Sequence, residues 1–521
     1  MLTPDYLEAL PQPLVRLMEQ VEEDILQDVA RRIGTMALFD PVSESTEYQL
    51  WRYQQIRALR LDVIRKLAKA SGKTEEQIRK LLQRAGYDTL ADDDAAYQSM
   101  GLQPVNADDS PALLNLLNAG YRQTVGSWKN LTATTANTVT KQFEDALDRA
   151  WAQVSSGAFD HKTAVKQTVD RLAKEMQFIE YPSGHKDTLE VAVRRAVLTG
   201  VNQTAAKLQL ERMDEMAEQG FGNFVEVSAH TGARSDGSGG PADHAAWQGK
   251  VYHRGGRIFH EGEWYEDFES STGFGTGEGL CGWNCRHNFH PFWPGLSVRN
   301  YTAEQLEAMN AANVEYNGEM FTRYQISQMQ RALERKVRSA KRKYLAETAA
   351  GQDATRSAVK LKAARQQLSE FIRATGGRAD SSRTNVAGFG RSEAGKATWA
   401  AKREELLRAA NDELQQLRNS GIIKITGTLV PAPKAPDVLV FNREHVFQRI
   451  IERQLNFLHA DEIASNARFA IRQRDGAQHV YYTELGFVVI QKDGCVLSMG
   501  PLDDGGRKLM EVAEKYGFGK K

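Results

Sequence analysis

The chain has 521 residues, of which 41% are hydrophobic and 26% are charged. This length predicts several folded domains and the composition argues against disorder. No stretch approaches the roughly 18 uninterrupted apolar residues of a membrane helix, and the start lacks a signal-peptide pattern, so we expect a chain made in the cytoplasm without a membrane segment. Three cysteines are too few for a disulfide framework. Net charge is zero, but residues 321–420 carry 21 basic and 10 acidic residues whereas residues 1–320 carry 32 and 45.

Residues 1–220 are predicted to be helical throughout. Thr3 and Pro4 form a typical helix start, and "LVRLMEQVEEDILQDVARRI" repeats apolar residues at helical spacing. A later helix, "EVAVRRAVLTGVNQTAAKLQ", carries one polar stripe on an otherwise apolar surface. The stripe consists of Arg195, Thr199, Asn202 and Gln203. We interpret it as a buried hydrogen-bond network that ties this helix to the segment after it; a catalytic set is the alternative.

Residues 221–302 show short apolar pieces broken by glycine, which predicts a loop-rich α+β domain. Six of the eleven histidines and two of the three cysteines fall here. Thiolate and imidazole are the ligands that zinc prefers, so the segment predicts a structural zinc site; burial of the cysteines as small apolar residues is the alternative. The candidate ligands are Cys281, Cys285 and His287, completed by His244 or His290.

Residues 303–373 return to helical spacing and predict an antiparallel helical hairpin with a basic outer face. We expect this face to contact a polyanion such as DNA through phosphates, with an ordinary solvated surface as the alternative. The residues are Arg331, Arg335, Lys336, Arg338, Lys341, Arg342 and Lys343. Residues 374–420, rich in Gly, Ser and Ala at their start, are predicted to be a linker.

Residues 421–521 predict a small α+β domain in which a helix from about Asn442 to Leu458 precedes a three-stranded meander and a final helix. This layout resembles the small RNase-type fold shared by barnase, EndoU, colicin and RelE nucleases. The resemblance implies metal-independent RNA cleavage, which needs a base, an acid and a cation. The candidate residues are His445 and Arg449 on the helix, with His479, Tyr482 and Ser498 on the strands. A purely structural domain is the alternative.

The motifs "VSAHTGAR", "DHAAWQGKVYH" and "LCGWNCRHNFHPFWPG" resemble the head-morphogenesis domain of phage Mu F-like proteins, and the chain from near its start to about residue 373 resembles the phage minor capsid protein 2 family. The motif is carried by Arg234, His244, Gly249, Lys250, Trp283, Cys285, Arg286 and His287. His287 stands where the Mu F-like pattern has its second cysteine. Because Cys and His replace each other readily as zinc ligands, this departure favours a metal site.

The resemblance implies a multidomain minor head protein of a tailed phage or prophage. Its parts would be a mostly α-helical N-terminal half that docks on portal or capsid, a loop-rich Cys/His α+β domain, a basic helical hairpin and a small α+β C-terminal domain. The expected partners are the portal protein, the major capsid protein and packaged double-stranded DNA, with RNA for the C-terminal domain. The expected location is the virion, inside the capsid at the portal vertex.

Two other functions are compatible with the residues. The Cys/His cluster would be a catalytic zinc site if Asp243, Glu261 or Glu263 supplied a general base beside an open coordination position. Alternatively, the first 373 residues would form the vehicle of a toxin-delivery protein whose cargo is the last hundred. Both alternatives predict turnover of a substrate, whereas the structural role predicts assembly only.

Overall fold

The structure, a computed structural model, divides into two compact units, residues 1–394 and residues 395–521. The described residues are 2–36, 45–156, 158–176, 178–218, 223–441, 448, 450–452, 456 and 458–518. Within them the chain is mostly helical with four small sheets, which confirms a multidomain α+β protein. None of the helices in these ranges is long and apolar enough to cross a membrane.

The N-terminal part of the first unit is a packed set of helices around one large apolar core. The helices are α1 (Pro4–Ala9), α2 (Gln12–Thr35), α3 (Ser45–Ser99), α4 (Pro111–Ser155), α5 (His161–Glu175) and α6 (Leu189–Ala217). A short antiparallel pair, β1 (Phe178–Glu180) and β2 (Lys186–Thr188), separates α5 from α6. Thr3 caps α1 through its hydroxyl, as its place before Pro4 predicts.

Helices α4 and α6 cross at a close approach built from two glycines and two threonines. A Cβ added to Gly120 would lie 2.2 Å from Thr204 Oγ1, and one added to Gly200 would lie 2.3 Å from Thr124 Oγ1. Each threonine hydroxyl also donates to the glycine carbonyl one turn earlier in its own helix, at 2.8 and 2.7 Å. The two contacts therefore fix how the helices are aligned along their axes.

A mixed five-stranded sheet forms the middle of the first unit. Its strands are β3 (Phe224–Val227), β4 (Val251–His253), β5 (Ile258–His260), β6 (Glu263–Asp267) and β7 (Phe289–Phe292). The order is β5-β6-β4-β3-β7, with β3 at the centre of the antiparallel part and β4 parallel to β6. Two short helices, α7 (His244–Trp247) and α8 (Phe268–Thr272), lie between strands. The sheet brings the chain around His244 and the chain before β7 to one apolar cluster.

The rest of the first unit begins with α9 (Ala303–Asn310) and a β-hairpin, β8 (Ala312–Tyr316) and β9 (Glu319–Thr322), within the stretch expected to be helical. Helices α10 (Arg323–Ala349) and α11 (Thr355–Thr375) then pair with each other, and the short α12 (Ser381–Thr384) follows. Ala346 of α10 belongs to the core of the N-terminal helices. Helix α10 is therefore an internal element of the unit.

The second unit is a five-stranded antiparallel sheet covered by helices. Its elements are most of α13 (Arg391–Asn419), whose first four residues belong to the first unit, and then β10 (Thr428–Pro431), α14 (Leu458–Asn466), β11 (Phe469–Gln473), β12 (Gln478–Thr483), β13 (Gly486–Gln491), β14 (Val496–Gly500) and α15 (Asp504–Lys515). The strands follow chain order. Apolar residues of α13 and α15 cover one face of the sheet and those of α14 cover the other.

Two features of this unit differ from the sequence predictions. The sheet has five strands where a three-stranded meander was expected, because β10 and β11 add to its edge. The predicted linker contains α13, whose Ala410 and Leu414 are buried in the core. Alanine is the strongest helix former, so the small residues of this stretch build a helix as readily as a linker. The helix expected from Asn442 lies mostly outside the described residues.

Candidate metal centre

The candidate ligands are positioned by a tightly wound loop between α8 and β7. A Cβ on Gly279 would lie 2.2 Å from the Gly273 carbonyl oxygen, and one on Gly282 would lie 2.4 Å from that of Gly277. Only glycine fits at these two positions without moving backbone. Cys281 has a φ of 58°, a left-handed conformation that non-glycine residues seldom adopt. The loop therefore holds the backbone before Cys285 in one particular path.

Three buried side chains converge at the end of this loop, namely His244, Cys285 and His287, each offering one ligand atom within 4.8 Å of the others. We call them the Cys/His triad. His244 Nε2 lies 2.8 Å from the Glu278 carbonyl oxygen and His287 Nε2 lies 3.0 Å from Gln248 Oε1. Because both oxygens only accept hydrogen bonds, each Nε2 carries the proton and each Nδ1 keeps a lone pair. Partners of this kind orient histidines that bind metals.

The electrostatics of the triad suit a soft divalent metal. Burial lowers the pKa of His244 to about 4 and holds the pKa of His287 well below its ordinary value, so both imidazoles are neutral. Burial raises the pKa of Cys285 to about 11, so a metal would have to displace the thiol proton. Cys285 Sγ lies 3.6 Å from His287 Nδ1 and accepts the backbone N–H of His287 at 3.4 Å. These nitrogen and sulfur donors fit zinc in type, and a structural zinc site would need a fourth protein donor to close it.

Two of the predicted ligands are not part of this group. Cys281 is buried in the apolar cluster and its thiol donates to the His287 carbonyl at 3.6 Å. His290 alternates to the other side of β7, where its Nε2 lies 3.3 Å from a carboxylate oxygen of Glu226 and 3.2 Å from Asn300. The spacing of residues along the chain could not distinguish these positions, because the loop winding decides which side chains point to the centre.

Two residues at the centre were not predicted. His230 stacks on His287 with ring centroids 4.5 Å apart, and burial lowers its pKa to about 4. Gln248 accepts from His287 through Oε1 and donates to Asn310 through Nε2 at 3.0 Å. Both lie inside the recognised motifs, His230 four residues before Arg234 and Gln248 directly before Gly249. Their position inside the recognised motifs is the sequence signal that could have identified them as part of the centre.

The polar stripe of α6 meets the loop that carries the triad. Thr199 Oγ1 donates to the Gly282 carbonyl at 3.3 Å, and Asn202 Nδ2 donates to the carbonyls of Cys285 and His287 at 3.3 and 2.9 Å. Asn202 Oδ1 accepts from the Asn288 amide at 2.9 Å. Asn202 is completely buried, so these bonds satisfy polar groups that water cannot reach.

The two ends of the predicted stripe behave differently. Arg195 pairs with Asp187, and its guanidinium carbon lies 5.9 Å from the Trp283 ring. Gln203, at the other end, is half-buried. Gln209, which was not predicted, donates to the Phe289 carbonyl at 2.7 Å and to Asp93 at 3.0 Å. It lies seven residues after Asn202, which is two helical turns on the same face.

The remaining motif residues shape the surroundings of the triad. Arg234 donates to the Trp283 carbonyl at 3.0 Å, and Arg286 pairs with Glu8 at 3.2 Å. Gly249 has a φ of 68°, and a Cβ there would lie 2.4 Å from Leu306 Cδ2. Lys250 is exposed and donates to the Ala246 carbonyl at 2.6 Å. Most of the motif therefore maintains the local backbone.

Of the three carboxylates proposed as a general base, Asp243 directly precedes His244, whereas Glu261 and Glu263 lie elsewhere in the sheet. Asp243 is buried and accepts the backbone N–H of Gly239 at 3.1 Å. Glu261 and Glu263 lie in and beside the turn between β5 and β6, at the sheet edge opposite β7. Glu263 pairs there with Arg299 at 2.5 Å. This geometry gives no support to a catalytic zinc site that uses Glu261 or Glu263.

The predicted basic face of the helical hairpin is not one surface. Arg342 is buried and pairs with Glu22 and Glu23 of α2 at 2.9 and 3.4 Å. The other inward-facing members pair as follows: Arg338 with Glu19 and Glu190, Lys343 with Asp170, and Lys341 with the Thr384 carbonyl. Arg335 and Lys336 are exposed, and Arg331 is half-buried. The expectation of a continuous DNA-facing surface is therefore corrected: three of the seven cations, Arg338, Arg342 and Lys343, neutralise acidic residues of the N-terminal helices.

The candidate nuclease residues that the structure describes do not form one site. His479 and Tyr482 lie three residues apart on β12 and so project from opposite faces of the sheet. Tyr482 is buried in the core under α13 and α15, and Ser498, opposite Val489 in the register, lies on the same face as Tyr482. His445 and Arg449 lie outside the described residues. The predicted set of five thus cannot act together, because strand alternation separates its members.

Comparison with known proteins identifies the first unit. Residues 2–373 match the model of the family described as phage minor capsid protein 2. No curated protein and no solved structure matches the chain. The matched segment contains the N-terminal helices, the Cys/His triad, and helices α10 and α11, and it covers well over half of the sequence. The chain belongs to the phage minor capsid protein 2 family.

Proposed function

We propose that the protein is a minor component of the head of a tailed phage or prophage, placed inside the capsid at the portal vertex and stabilised by one structural zinc ion. The match of residues 2–373 to the minor capsid protein 2 family carries this proposal, since membership implies a role in the phage head. Portal protein and major capsid protein are the partners that such a role favours. Duplex DNA is a less favoured partner, because Arg338, Arg342 and Lys343 of α10 are paired with acids and so do not form one continuous basic surface with the rest.

The position in the particle is tested on virions produced by the element that encodes the chain. Mass spectrometry of purified particles should detect the protein at a few copies relative to the major capsid protein. Treatment of intact particles with protease should leave it uncleaved if it lies inside the capsid, and cross-linking should connect it to the portal protein. Absence from purified particles would overturn the proposal.

The zinc proposal rests on the Cys/His triad and its hydrogen-bonded imidazoles. His244, Cys285 and His287 would hold the ion, and zinc bound there would cross-link α7 to the loop before β7. A structural metal contributes its binding free energy to folding. The wild-type protein should therefore contain close to one equivalent of zinc, and a strong chelator should lower its melting temperature.

The chain supplies matched controls for the ligand assignment. Cys285→Ser should lose the metal and reduce the yield of folded protein, whereas Cys495→Ser, in the second unit, should change neither. Cys281→Ser separates the triad from the ligand set expected from sequence, because it should retain the metal. Elemental analysis showing less than about a tenth of an equivalent in the wild type, with an unchanged melting curve after chelation, would contradict the proposal.

A further inference from the structure

A cleft of about 310 Å³ opens beside the Cys/His triad within the first unit, and its lining includes seven arginines and only three glutamates. His230, His244 and His287 form part of its wall. We call it the arginine cleft and define it by Arg194, Arg234, Arg286, Arg331, Arg383 and Glu8. Nothing in the proposed role as a minor head protein requires such a concentration of guanidinium groups.

One carboxylate is shared by three of these arginines. Glu8 of α1 lies 3.0 Å from Arg194, 3.2 Å from Arg286 and 2.8 Å from Arg383. Their side chains are 12, 25 and 22% exposed, so they are held in a recess and do not project into solvent. Arg383 also pairs with Asp380 at 3.0 Å, but the seven arginines that line the cleft still outnumber its carboxylates, and the cleft therefore retains positive charge around Glu8.

Arg331 makes this excess larger. Among the described residues no carboxylate lies within ion-pair distance of its guanidinium group, and its Nε is buried without a hydrogen-bond partner. Burial, and then the neighbouring charge of Arg383, lowers the pKa of Arg331. Arg234 likewise donates to a carbonyl, that of Trp283, and pairs with no acid of the described chain. A desolvated guanidinium with an unused donor is costly unless an anion occupies the space it faces.

We propose that the arginine cleft binds a phosphate group, either inorganic phosphate or a terminal phosphomonoester. Phosphate carries up to two negative charges and several acceptor oxygens, which matches convergent guanidinium donors in number and geometry. The volume admits a small anion, while the recessed position keeps Arg194, Arg286 and Arg383 out of reach of the continuous backbone of a DNA duplex. Free phosphate and the phosphorylated end of a nucleic-acid strand are the two sources of this ligand.

The first test is to titrate the full-length protein with inorganic phosphate, with the ionic strength held constant by KCl. Binding is measured by calorimetry, and stability by the melting temperature. We expect saturable binding and an increase of the melting temperature. Arg331→Gln should raise the Kd at least about tenfold, the loss expected for one charge-assisted hydrogen bond. Arg373→Gln removes an equal charge from the exposed surface of α11 and should leave the Kd unchanged.

A second variant at the same position controls for loss of binding that is caused by misfolding. Arg331→Lys keeps the charge but loses the planar fork, so it should bind with a Kd between those of wild type and Arg331→Gln. The two sources are separated by competition, in which a 5′-phosphorylated oligonucleotide displaces phosphate if strand ends bind and fails to do so if only the free anion binds. The proposal is overturned if phosphate has no effect beyond that of KCl, if Arg331→Gln and Arg373→Gln behave alike, or if a 5′-hydroxyl oligonucleotide displaces phosphate as effectively as a phosphorylated one that also displaces it.

Discussion

The two units of the chain stabilise themselves in different ways. Residues 1–394 bury ionised side chains deeply: Arg212 is completely inaccessible and pairs with Asp94 and Glu215 at 2.8 and 2.6 Å. In the described part of residues 395–521, Gln478 is the one buried polar side chain. Ion pairs there join surface groups such as Lys515 and Glu413, which are 60 and 26% exposed.

The difference shows what each unit needs from its sequence. An apolar sheet between helices tolerates changes of surface charge, since exposed ion pairs contribute little. The first unit depends on particular charges meeting particular partners, because an unpaired ion in its interior is costly. Four predictions test this difference between the two units.

The largest effect is expected from Arg342→Met, which leaves Glu22 and Glu23 without their shared partner. Loss of one member of a buried ion pair should reduce the free energy of unfolding of the first unit by about 3–5 kcal/mol. Urea unfolding followed by hydrogen-exchange mass spectrometry reports the two units separately. Adding Glu22→Gln and Glu23→Gln should recover part of the loss; no recovery would show that shape, and not charge, sets the role of Arg342.

Asn202→Leu should have the next largest effect. It removes the donor to the carbonyls of Cys285 and His287 and the acceptor for Asn288, which leaves buried polar groups unsatisfied at a cost of about 2–3 kcal/mol. The control is Gln203→Leu on the same helix, which should cost less than about 1 kcal/mol. Equal losses in the two variants, measured by chemical unfolding, would contradict this view of the stripe.

Asp93 should give the first unit a pH-dependent stability. Burial raises its pKa to about 7, so the folded state favours the protonated acid. Its stabilising contribution is complete below the ordinary aspartate pKa of about 4 and is lost as the pH rises through about 7. Relative to the always neutral Asp93→Asn, the wild type should lose about 2 kcal/mol between pH 5 and pH 7. Asp92→Asn, on the exposed face of the same helix, is the matched control, and a constant difference between wild type and Asp93→Asn would refute the prediction.

The smallest effect is expected from Lys515→Met in the second unit. Its partner Glu413 remains hydrated, so the melting temperature should not change measurably. Thermal unfolding of the full chain measures this. A loss comparable to that of Arg342→Met would remove the contrast between the units.

Local signals in the sequence predicted local structure well. The hydroxyl cap at Thr3, the amphipathic repeat of α2 and the paired helices α10 and α11 depend on residues a few positions apart. The clustering of Cys and His within one short segment likewise led to the triad, because the motif residues lie in α7 and in the loop before β7, which the fold brings together. The alternation of side chains along a strand is also a local signal, and it places His479 and Tyr482 on opposite faces of the sheet.

Pairings between distant parts of the chain could not be predicted. The basic spacing of α10 is the same whether its charges face water or acids, and only the packed structure shows that Arg342 meets α2. Nothing in the cysteine spacing indicates that Cys281 lies in the apolar cluster and outside the triad. In the same way, α13 joins a core whose other members come from later strands.

The pairing of Arg342 with Glu22 and Glu23 has a consequence for how the chain is made. The acids of α2 leave the ribosome about 320 residues before their partner, which at synthesis rates of roughly 5–20 residues per second is a delay of about 16–64 s. During this time the nascent N-terminal helices present unneutralised carboxylates where the core will close. We therefore expect the first unit to reach its final packing only after helix α10 has been synthesised.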